Sequence, residues 1–458
     1  MKLPENKNAF LLGIGGSGMS SIAHILLDRG IRVFGYDKND SKVVRDLQKR
    51  GAEISPEPSD KILSEQDYFI YSSAINRKNH PVYRKLEERG IPSFHRSEIL
   101  QNLFQEKKCV AVAGSHGKTS TTAMVSRILL HAKKDISIMV GGNLPFLQNR
   151  GGRSGNSDWA VFEADESDGS FSIYTPRIKL LSNIDRDHLD YYGTEEKLTE
   201  AFARFIENKG DSLSIVNLSD PGVRNMLIKT GLKKNILSFS EDDKQIEGIP
   251  HYRISIYTNK LIFKEDENSY ELSCPFPGRH YLHNAFLAYL ACKQIGIETK
   301  TSLKALSLYE GVERRLEFLG DWKGVRLYDD YGHHPTEISA VLNSLNILKK
   351  EYSSRSIVLF QPHRYTRTKE LYREFAESLI KADKIFLLPI YSAGEEAIAG
   401  IHTGLIAQRL PTEKTSLLSG KIDEDIQILQ KELQKGDIFL SIGAGNVRSW
   451  AEKLKLIS

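Results

Sequence analysis

Cysteine is scarce in this chain of 458 residues: there are three, Cys109, Cys274 and Cys292, spaced too far apart for the paired ligands of a zinc site. They read as reduced structural thiols. Long apolar runs are missing as well. Nothing approaches the roughly 18 residues that span a bilayer, and the opening MKLPENKNAF lacks the apolar core of a secretory signal. A cytoplasmic protein with no membrane partner is therefore expected. Nor is there an excess of one charge, since 63 Lys and Arg stand against 59 Asp and Glu, a formal +4. That balance argues against a nucleic-acid partner, so any anionic ligand must be met by local groups. No heptad, solenoid period or low-complexity tract is visible. The 40% apolar content supplies several cores, and the length suits about three domains at ~150 residues each.

What the chain does have is VAVAGSHGKTSTT at residues 110–122. An apolar strand runs into a turn containing Gly114 and Gly117, and helical apolar spacing follows from 119 to 131. Such a turn aims backbone N–H groups at an anion, with the positive end of a helix dipole behind them. Lys118 is placed to meet the β- and γ-phosphates of a nucleotide and Thr119 to enter a Mg²⁺ shell. Val112 stands where the G-x-x-x-x-G-K-[ST] pattern has its first glycine, so the loop is a shortened variant. Read alone, it could also be a plain strand–helix connection.

The first hundred residues repeat the rhythm of strand, glycine turn, helix and strand. A strand at 9–12 meets Gly13, Gly15 and Gly18 at the mouth of a helix running to 28, and the next strand, 31–36, closes on Asp37. This satisfies the dinucleotide fingerprint and makes an NAD-dependent oxidoreductase a competing reading. Its physical content is only a diphosphate on a helix N-terminus. Further strands are expected at 68–72 and 91–94 with a helix at 81–89, and a first boundary at 105–108. Strands at 159–163, 179–184 and 213–216 and a helix at 195–208 follow. An antiparallel meander is expected over 251–272, then helices at 281–295 and 302–309. After a second boundary near 315–320 come strands at 325–328, 356–361, 384–388 and 437–441, with helices such as 337–350 and 423–434. The expected fold class is α/β in three domains: a Rossmann-like domain at 1–106, a P-loop ATPase-type parallel sheet with an antiparallel edge at 107–316, and a second Rossmann-like domain at 317–458.

Chemistry gathers at strand ends. EADESD, residues 163–168, offers four carboxylates; Glu163 closes the strand and is the candidate for metal contact, while Asp165, Glu166 and Asp168 read as solvated loop charges. NIDRDH, 183–188, should open on the same carboxyl-edge crevice. There His188 either ligates a second metal as a neutral imidazole or caps and packs a helix. YDDYGHHP, 328–335, and FQPHRYTRT, 360–368, close later strands. Arg364 and Arg367 suit a fork for a carboxylate, or are surface arginines. The adjacent His333 and His334 lack the cysteine or third spaced histidine of a transition-metal site.

Taken together, the shortened G-x-H-G-K-T loop, EADESD, NIDRDHLDYYG, DDYGHHPTE and FQPHRYTRT stand in the order found in the Mur ligases. The chain resembles that family along nearly its whole length, and most of all its members that add L-alanine to UDP-N-acetylmuramate. The resemblance implies an N-terminal domain holding the UDP-sugar, a central ATPase, and a C-terminal domain that closes over the site bringing the amino acid. It also implies an ATP- and Mg²⁺-dependent reaction of the lactyl carboxylate through an acyl phosphate, by a monomer or weak homodimer. Carried over by position, Gly114, Ser115, His116, Gly117 and Ser120 line the ATP loop, Lys118 neutralises phosphates, Thr119 and Glu163 hold one Mg²⁺, and His188 helps to hold a second. Asn284 touches the base; Arg315 and Asp330 contact the phosphates and ribose. Tyr331, His333, Arg364 and Arg367 form the alanine pocket, and Gly15, Gly16, Ser17 and Gly18, with Asp37, Ser72, Ser73 and Ala74, line the UDP-sugar site. One departure is that the family's G-x-H-N-x-x-N stretch has Tyr281 after His280, leaving Asn284 alone of the pair, so that a tyrosine face could stack on the base or simply pack inside its helix. Ser115 replaces a common threonine. The family member that recycles a murein tripeptide is the alternative; its pocket must hold a larger amine.

Overall fold

The computed structural model describes residues 8–207, 211–242 and 244–457. Residues 1–7, and residue 208 at the expected end of one central helix, lie outside that range. The chain divides into two compact units. One runs to Pro275 and resumes over Leu282–Val312; the other comprises Phe276–Tyr281 and Glu313–Ser458.

The first unit contains two sheets. Five parallel strands lie in the order Glu53–Ser55, Val33–Tyr36, Ala9–Leu12, Tyr68–Tyr71, Ser93–His95. The order turns back beside Ala9–Leu12, so a crevice opens at the carboxyl ends between the turn after it and the turn after Tyr68–Tyr71. In the ten-stranded sheet, Lys108–Ala113 lies between Ile178–Leu181 and Trp159–Glu163, both parallel to it. The register pairs Leu181 with Ala113 and Glu163 with Val112. Three loops rich in polar groups therefore leave adjacent strands at nearly one level. Parallel pairing continues through Leu213–Asn217, Ile236–Ser240 and His251–Tyr257, and Lys260–Glu265 and Asn268–Ser273 finish the edge as the expected antiparallel meander.

The opposite edge was not foreseen. Ser137–Leu144 joins Trp159–Glu163 in parallel and folds back on Arg150–Arg153, although SIMVGGNL and RGGR carry glycine, a poor strand former. Packing overrides propensity here. The hairpin lies against helix Ser17–Asp28, where the Ser21 hydroxyl donates to the Val140 carbonyl at 2.7 Å. A Cβ on Gly152 would overlap the Ser21 carbonyl, and one on Gly151 the Ser21 hydroxyl. The glycines thus let a helix of the first sheet seat directly on a strand of the second.

The second unit is built on a six-stranded sheet in the order Glu317–Trp322, Val325–Asp330, Ile438–Ile442, Ser356–Phe360, Lys384–Leu387, Thr415–Leu417. Only the first pair is antiparallel. Glu317–Trp322 falls where the sequence suggested a boundary, and its register shifts between Phe318 and Gly320, the irregularity that hides it from a period-2 pattern. Ile442 stands beside both Asp330 and Phe360, so the loops 331–334 and 361–364 leave the same edge.

The helix–hairpin seat gives a stability prediction. Gly152→Ala forces a side-chain carbon into the Ser21 backbone and should cost about 1–3 kcal/mol, the usual penalty for overpacking. Denaturant unfolding checks this, and a change below about 0.5 kcal/mol, the range of ordinary surface substitutions, would mean that the two backbones part without strain.

Candidate active site

The phosphate-type loop is held by the segment that leaves the neighbouring strand Ile178–Leu181. Ser115 N donates to the Asn183 carbonyl (3.2 Å), His116 N to Asn183 Oδ1 (2.8 Å), and Ser182 Oγ and Asn183 Nδ2 both donate to the His116 carbonyl. His116 Nε2 lies 2.8 Å from Asp185 Oδ2. Gly114 and Gly117 take φ of 140° and 82°, the left-handed region that suits glycine, and neither has room for a side chain. A Cβ on Gly114 would overlap Ser182 Oγ; one on Gly117 would stand 2.9 Å from Asn284 Nδ2. Asn284 is thereby placed against the loop. Thr119 and Ser120, both buried, sit in the first turn of helix Lys118–His131.

Lys118 Nζ folds over the loop, donating to the carbonyls of Gly114 (2.7 Å) and Ser115 (3.2 Å) and to Glu166 Oε1 (2.7 Å). Contrary to expectation, Asp165, Glu166 and Asp168 are not solvated loop charges but are paired with Arg96 and Lys118. Glu166 is fully buried. Its backbone carbonyl accepts from Tyr192 OH (2.6 Å), and its Oε2 has no hydrogen-bond partner among the described residues. Burial pushes its carboxyl up to about 7, against the pull of the Lys118 ammonium. Arg96 Nη2 binds Asp165 Oδ2 at 2.6 Å and Asp168 Oδ2 at 3.3 Å. Burial would raise Asp165, but Arg96 and Lys118 together hold it well below the usual carboxylate range. An unpaired charge is too costly to bury, and Asp165, Glu166 and Asp168 each have a cation. Glu163, on the same loop, accepts from Gly141 N at 2.7 Å. His188 takes φ 55° ahead of the short helix Leu189–Tyr192 and sets Nε2 3.7 Å from Glu166 Oε1.

Beside this cluster the first sheet presents its own loops. Gly15 N donates to Asp37 Oδ2 (2.9 Å), while Gly16 and Ser17 are exposed at the uncapped start of helix Ser17–Asp28. Ser72, Ser73 and Ala74 form the turn after Tyr68–Tyr71, and Ser73 Oγ reaches Asp168 Oδ2 at 3.0 Å. A cavity of ≈130 Å³ lies where the two sheets meet, lined in part by Ser17, Gly18, Arg96, Glu163, Asp165 and Tyr174.

In the second unit, buried Asp330 is bound by its own backbone: Leu316 N donates to Oδ2 and Gly332 N to Oδ1, both at 2.7 Å. Arg315 is 3.5 Å from Glu337 and lies over the Tyr331 ring. Tyr331 and His333 meet edge to face, and the His333 ring is 5.9 Å from that of His363, which stacks on Tyr391. Arg367 Nη1 stands 3.4 Å from His363 Nδ1. His333 and Arg367 thus flank His363 of the FQPHRYTRT motif, with Tyr331 packed on the far side of His333; no spacing in the motif singles His363 out. Arg364 is exposed, with φ 73°, ahead of helix Tyr365–Leu379. The first turn of that helix is capped by Glu395, whose Oε2 accepts from Tyr365 N at 2.7 Å. Tyr281 packs within its segment, its ring 5.2 Å from Phe276 and 4.4 Å from His280.

Three family models match in tandem: Mur ligase family, catalytic domain over residues 10–108, Mur ligase middle domain over 112–292, and Mur ligase, glutamate ligase domain over 314–445. A UDP-N-acetylmuramate--L-alanine ligase of Desulforamulus reducens is 35% identical over 98% of this chain and 97% of its own. The chain belongs to the Mur ligase family. Another ligase of the same name, from Dictyoglomus turgidum, is 37% identical over 98% of this chain and 96% of its own. The crystal structure of the Thermotoga maritima UDP-N-acetylmuramate-alanine ligase shares the fold, with a TM-score of 0.81, 24% identity and 98% of each chain covered. As a Mur ligase the protein is an ATP-dependent ligase on an α/β fold, which sets the oxidoreductase reading aside. The glycine turn at Gly13–Gly18 is then a helix mouth compatible with a diphosphate and not a mark of NAD. Among the described residues no helix is long and apolar enough to cross a membrane.

The histidine cluster of this Mur ligase yields a pH prediction. Burial, with His333, Arg367 and Arg364 adding to it, lowers His363 to about 3, against about 6.5 unfolded. Between those values the unfolded chain binds the extra proton, so the contribution is present above pH ~6.5 and is lost as pH falls toward 3. His363→Gln should flatten the acid limb of stability against pH between about 4 and 6. An unchanged limb would show that His363 titrates normally.

Proposed function

We infer that this Mur ligase joins L-alanine to the lactyl carboxylate of UDP-N-acetylmuramate, converting ATP to ADP and phosphate, in peptidoglycan precursor synthesis. Full-length similarity to enzymes named for that reaction supports the reading. The observation that carries it is that one acidic loop, within one unit, joins the Lys118 loop to the glycine mouth of the first sheet: Glu166 holds Lys118, while Glu163 and Asp165 line the cavity bordered by Ser17 and Gly18. A diphosphate sugar and a triphosphate need those two loops side by side.

Carboxylate oxygen is a poor leaving group, so the acid must first be activated. The lactyl carboxylate attacks the γ-phosphorus in line, the bond to the β-bridging oxygen breaks, and an acyl phosphate and ADP result. The alanine amine then adds to the carbonyl, and the tetrahedral intermediate loses phosphate and a proton to give the amide. The protein's part is positioning and charge stabilisation. Lys118 offsets charge gathering on the phosphates, and Gly114, Ser115, His116, Gly117 and Ser120 present the loop, with Asn284 beside it for the nucleoside. Thr119, Glu163 and His188 suit Mg²⁺: Glu163 and Thr119 offer hard oxygen donors, and the reading is supported by Oε2 of buried Glu166, which has no hydrogen-bond partner among the described residues. When bound, Mg²⁺ screens the phosphates and polarises the γ-phosphoryl group. Gly15, Gly16, Ser17 and Gly18, with Asp37, Ser72, Ser73 and Ala74, take the UDP-sugar. Arg315 and Asp330 serve the nucleotide end, and Tyr331, His333, Arg364 and Arg367 the amino acid. Residues 1–106, 107–316 and 317–458 are the corresponding three domains. The reading places the enzyme in the cytoplasm, where ATP is available, as a monomer or weak homodimer.

Phosphate release should require ATP, Mg²⁺, UDP-N-acetylmuramate and L-alanine together. Sustained release without the amine, or equal turnover with a tripeptide in its place, would defeat this reading. Lys118→Ala should lower kcat by at least the 10²–10³ lost with one aimed donor while UDP-sugar binding persists; half-normal turnover would make the loop a mere connection. Arg367→Lys keeps the charge but loses the planar fork. It should raise the KM for L-alanine at least tenfold and leave that for ATP within twofold, and the reverse pattern would move Arg367 to the phosphate site.

A further inference from the structure

Arg96 begins helix Arg96–Phe104, where a cation opposes the helix dipole, so something other than the helix holds it there. Its two terminal nitrogens face different ways. Nη2 is committed to Asp165 and Asp168. Nη1 makes no hydrogen bond to the described residues and stands 3.4 Å from where a Cβ on Gly18 would be, in the wall of the cavity that Ser17 and Gly18 share. The two acids do more than pair with it. Asp165 Oδ1 accepts from Ser167 N and Asp168 Oδ1 from Ser170 N, both at 3.0 Å, so each carboxylate pins the loop backbone on one oxygen and Arg96 on the other. Between them stands Glu166, whose Oε1 holds Lys118. Asp168 Oδ2 is tied back to the first sheet by Ser73 Oγ at 3.0 Å.

We propose that Arg96 is a positioning residue that couples the UDP-sugar cavity to the phosphate loop. It acts through Asp165 and Asp168 on the 163–168 loop, and so on the Glu166 carboxylate that sets Lys118. A diphosphate or carboxylate arriving beside Gly18 brings negative charge to Nη1, fixes the guanidinium, and through Nη2 fixes the loop on which Glu166 stands. Filling the sugar site then pre-orders Lys118 for the triphosphate, and by reciprocity the triphosphate tightens the sugar site. Arg96 touches neither the γ-phosphorus nor the amine, and its effect is on order. The proposal rests on the functional reading above, which supplies the two ligands.

The test is calorimetric titration of the full chain with adenylyl imidodiphosphate and Mg²⁺, with and without saturating UDP-N-acetylmuramate. The parent should bind the analogue at least fivefold tighter when the sugar is present, the lower end of usual coupling. Arg96→Ala and Asp168→Asn should each bind both ligands singly, with coupling reduced to within twofold of none. Arg96→Lys, which keeps the charge but loses the fork, should fall between, and it stands in for Arg96→Ala should a thermal melt show that variant unfolded. A residue that merely braces the fold would weaken both affinities and leave their ratio alone. A parent without coupling, or folded variants that retain the parent's ratio, overturns the proposal while leaving the functional reading intact. A parent that binds no UDP-N-acetylmuramate overturns both.

Discussion

An ammonium group closed into the end of a parallel sheet has to be met by a carboxylate, and the placement of Glu166 on Lys118 at 2.7 Å is the contact around which the first unit is arranged. Removing one member of such a pair typically costs about 3–5 kcal/mol, because the survivor is left charged and dry. The loop that carries Glu166 therefore cannot be left loose. Tyr192 holds its backbone, and Arg96 balances the two acids that flank it. Much of the polar structure at this edge keeps that one ion pair in register with the phosphate loop.

The same economy explains the glycines. Gly114 and Gly117 are needed twice over, for their positive φ and because Ser182 and Asn284 occupy the space a side chain would take. Gly151 and Gly152 have ordinary φ and are needed only for proximity, since they bring a strand edge onto the Ser21 backbone. Both uses serve the site. The first shapes an anion-binding turn, and the second fixes the helix that opens at Gly18 against the sheet that ends at Glu163. The cavity lined by Arg96 and Glu163 lies at that seat.

The second unit solves a different electrostatic problem. Asp329 and Asp330 are buried at the end of Val325–Asp330, and burial pushes each carboxyl up to about 6. Their partners are internal: Arg314 and Ser441 for Asp329, and the amides of Leu316 and Gly332 for Asp330. These acids lock the start of the unit to its sheet. The neighbouring loops carry uncharged His363 and the cations Arg364 and Arg367, a positive rim of the sort an amino-acid carboxylate requires.

The sequence by itself determined the elements and the motifs. Apolar runs ending in Gly or Glu mark Ala9–Leu12, Lys108–Ala113 and Trp159–Glu163 to within a residue or two, because a buried parallel strand must be nearly all apolar and the chemistry must then fall in the loop beyond it. The meander and the phosphate loop were legible for the same local reason. What only the tertiary structure decided is which charges are buried and with whom. Asp165, Glu166 and Asp168 look like any exposed acidic run, and Arg96 lies 69 residues before Asp165 with nothing nearby to mark it. The glycine-rich hairpin Ser137–Leu144 and Arg150–Arg153 was invisible for a related reason, since its strands are held by Ser21 and Trp159–Glu163 and not by their own propensity. Local pattern reports on what a segment can do alone; burial and ion pairing belong to the partner that arrives from elsewhere in the chain.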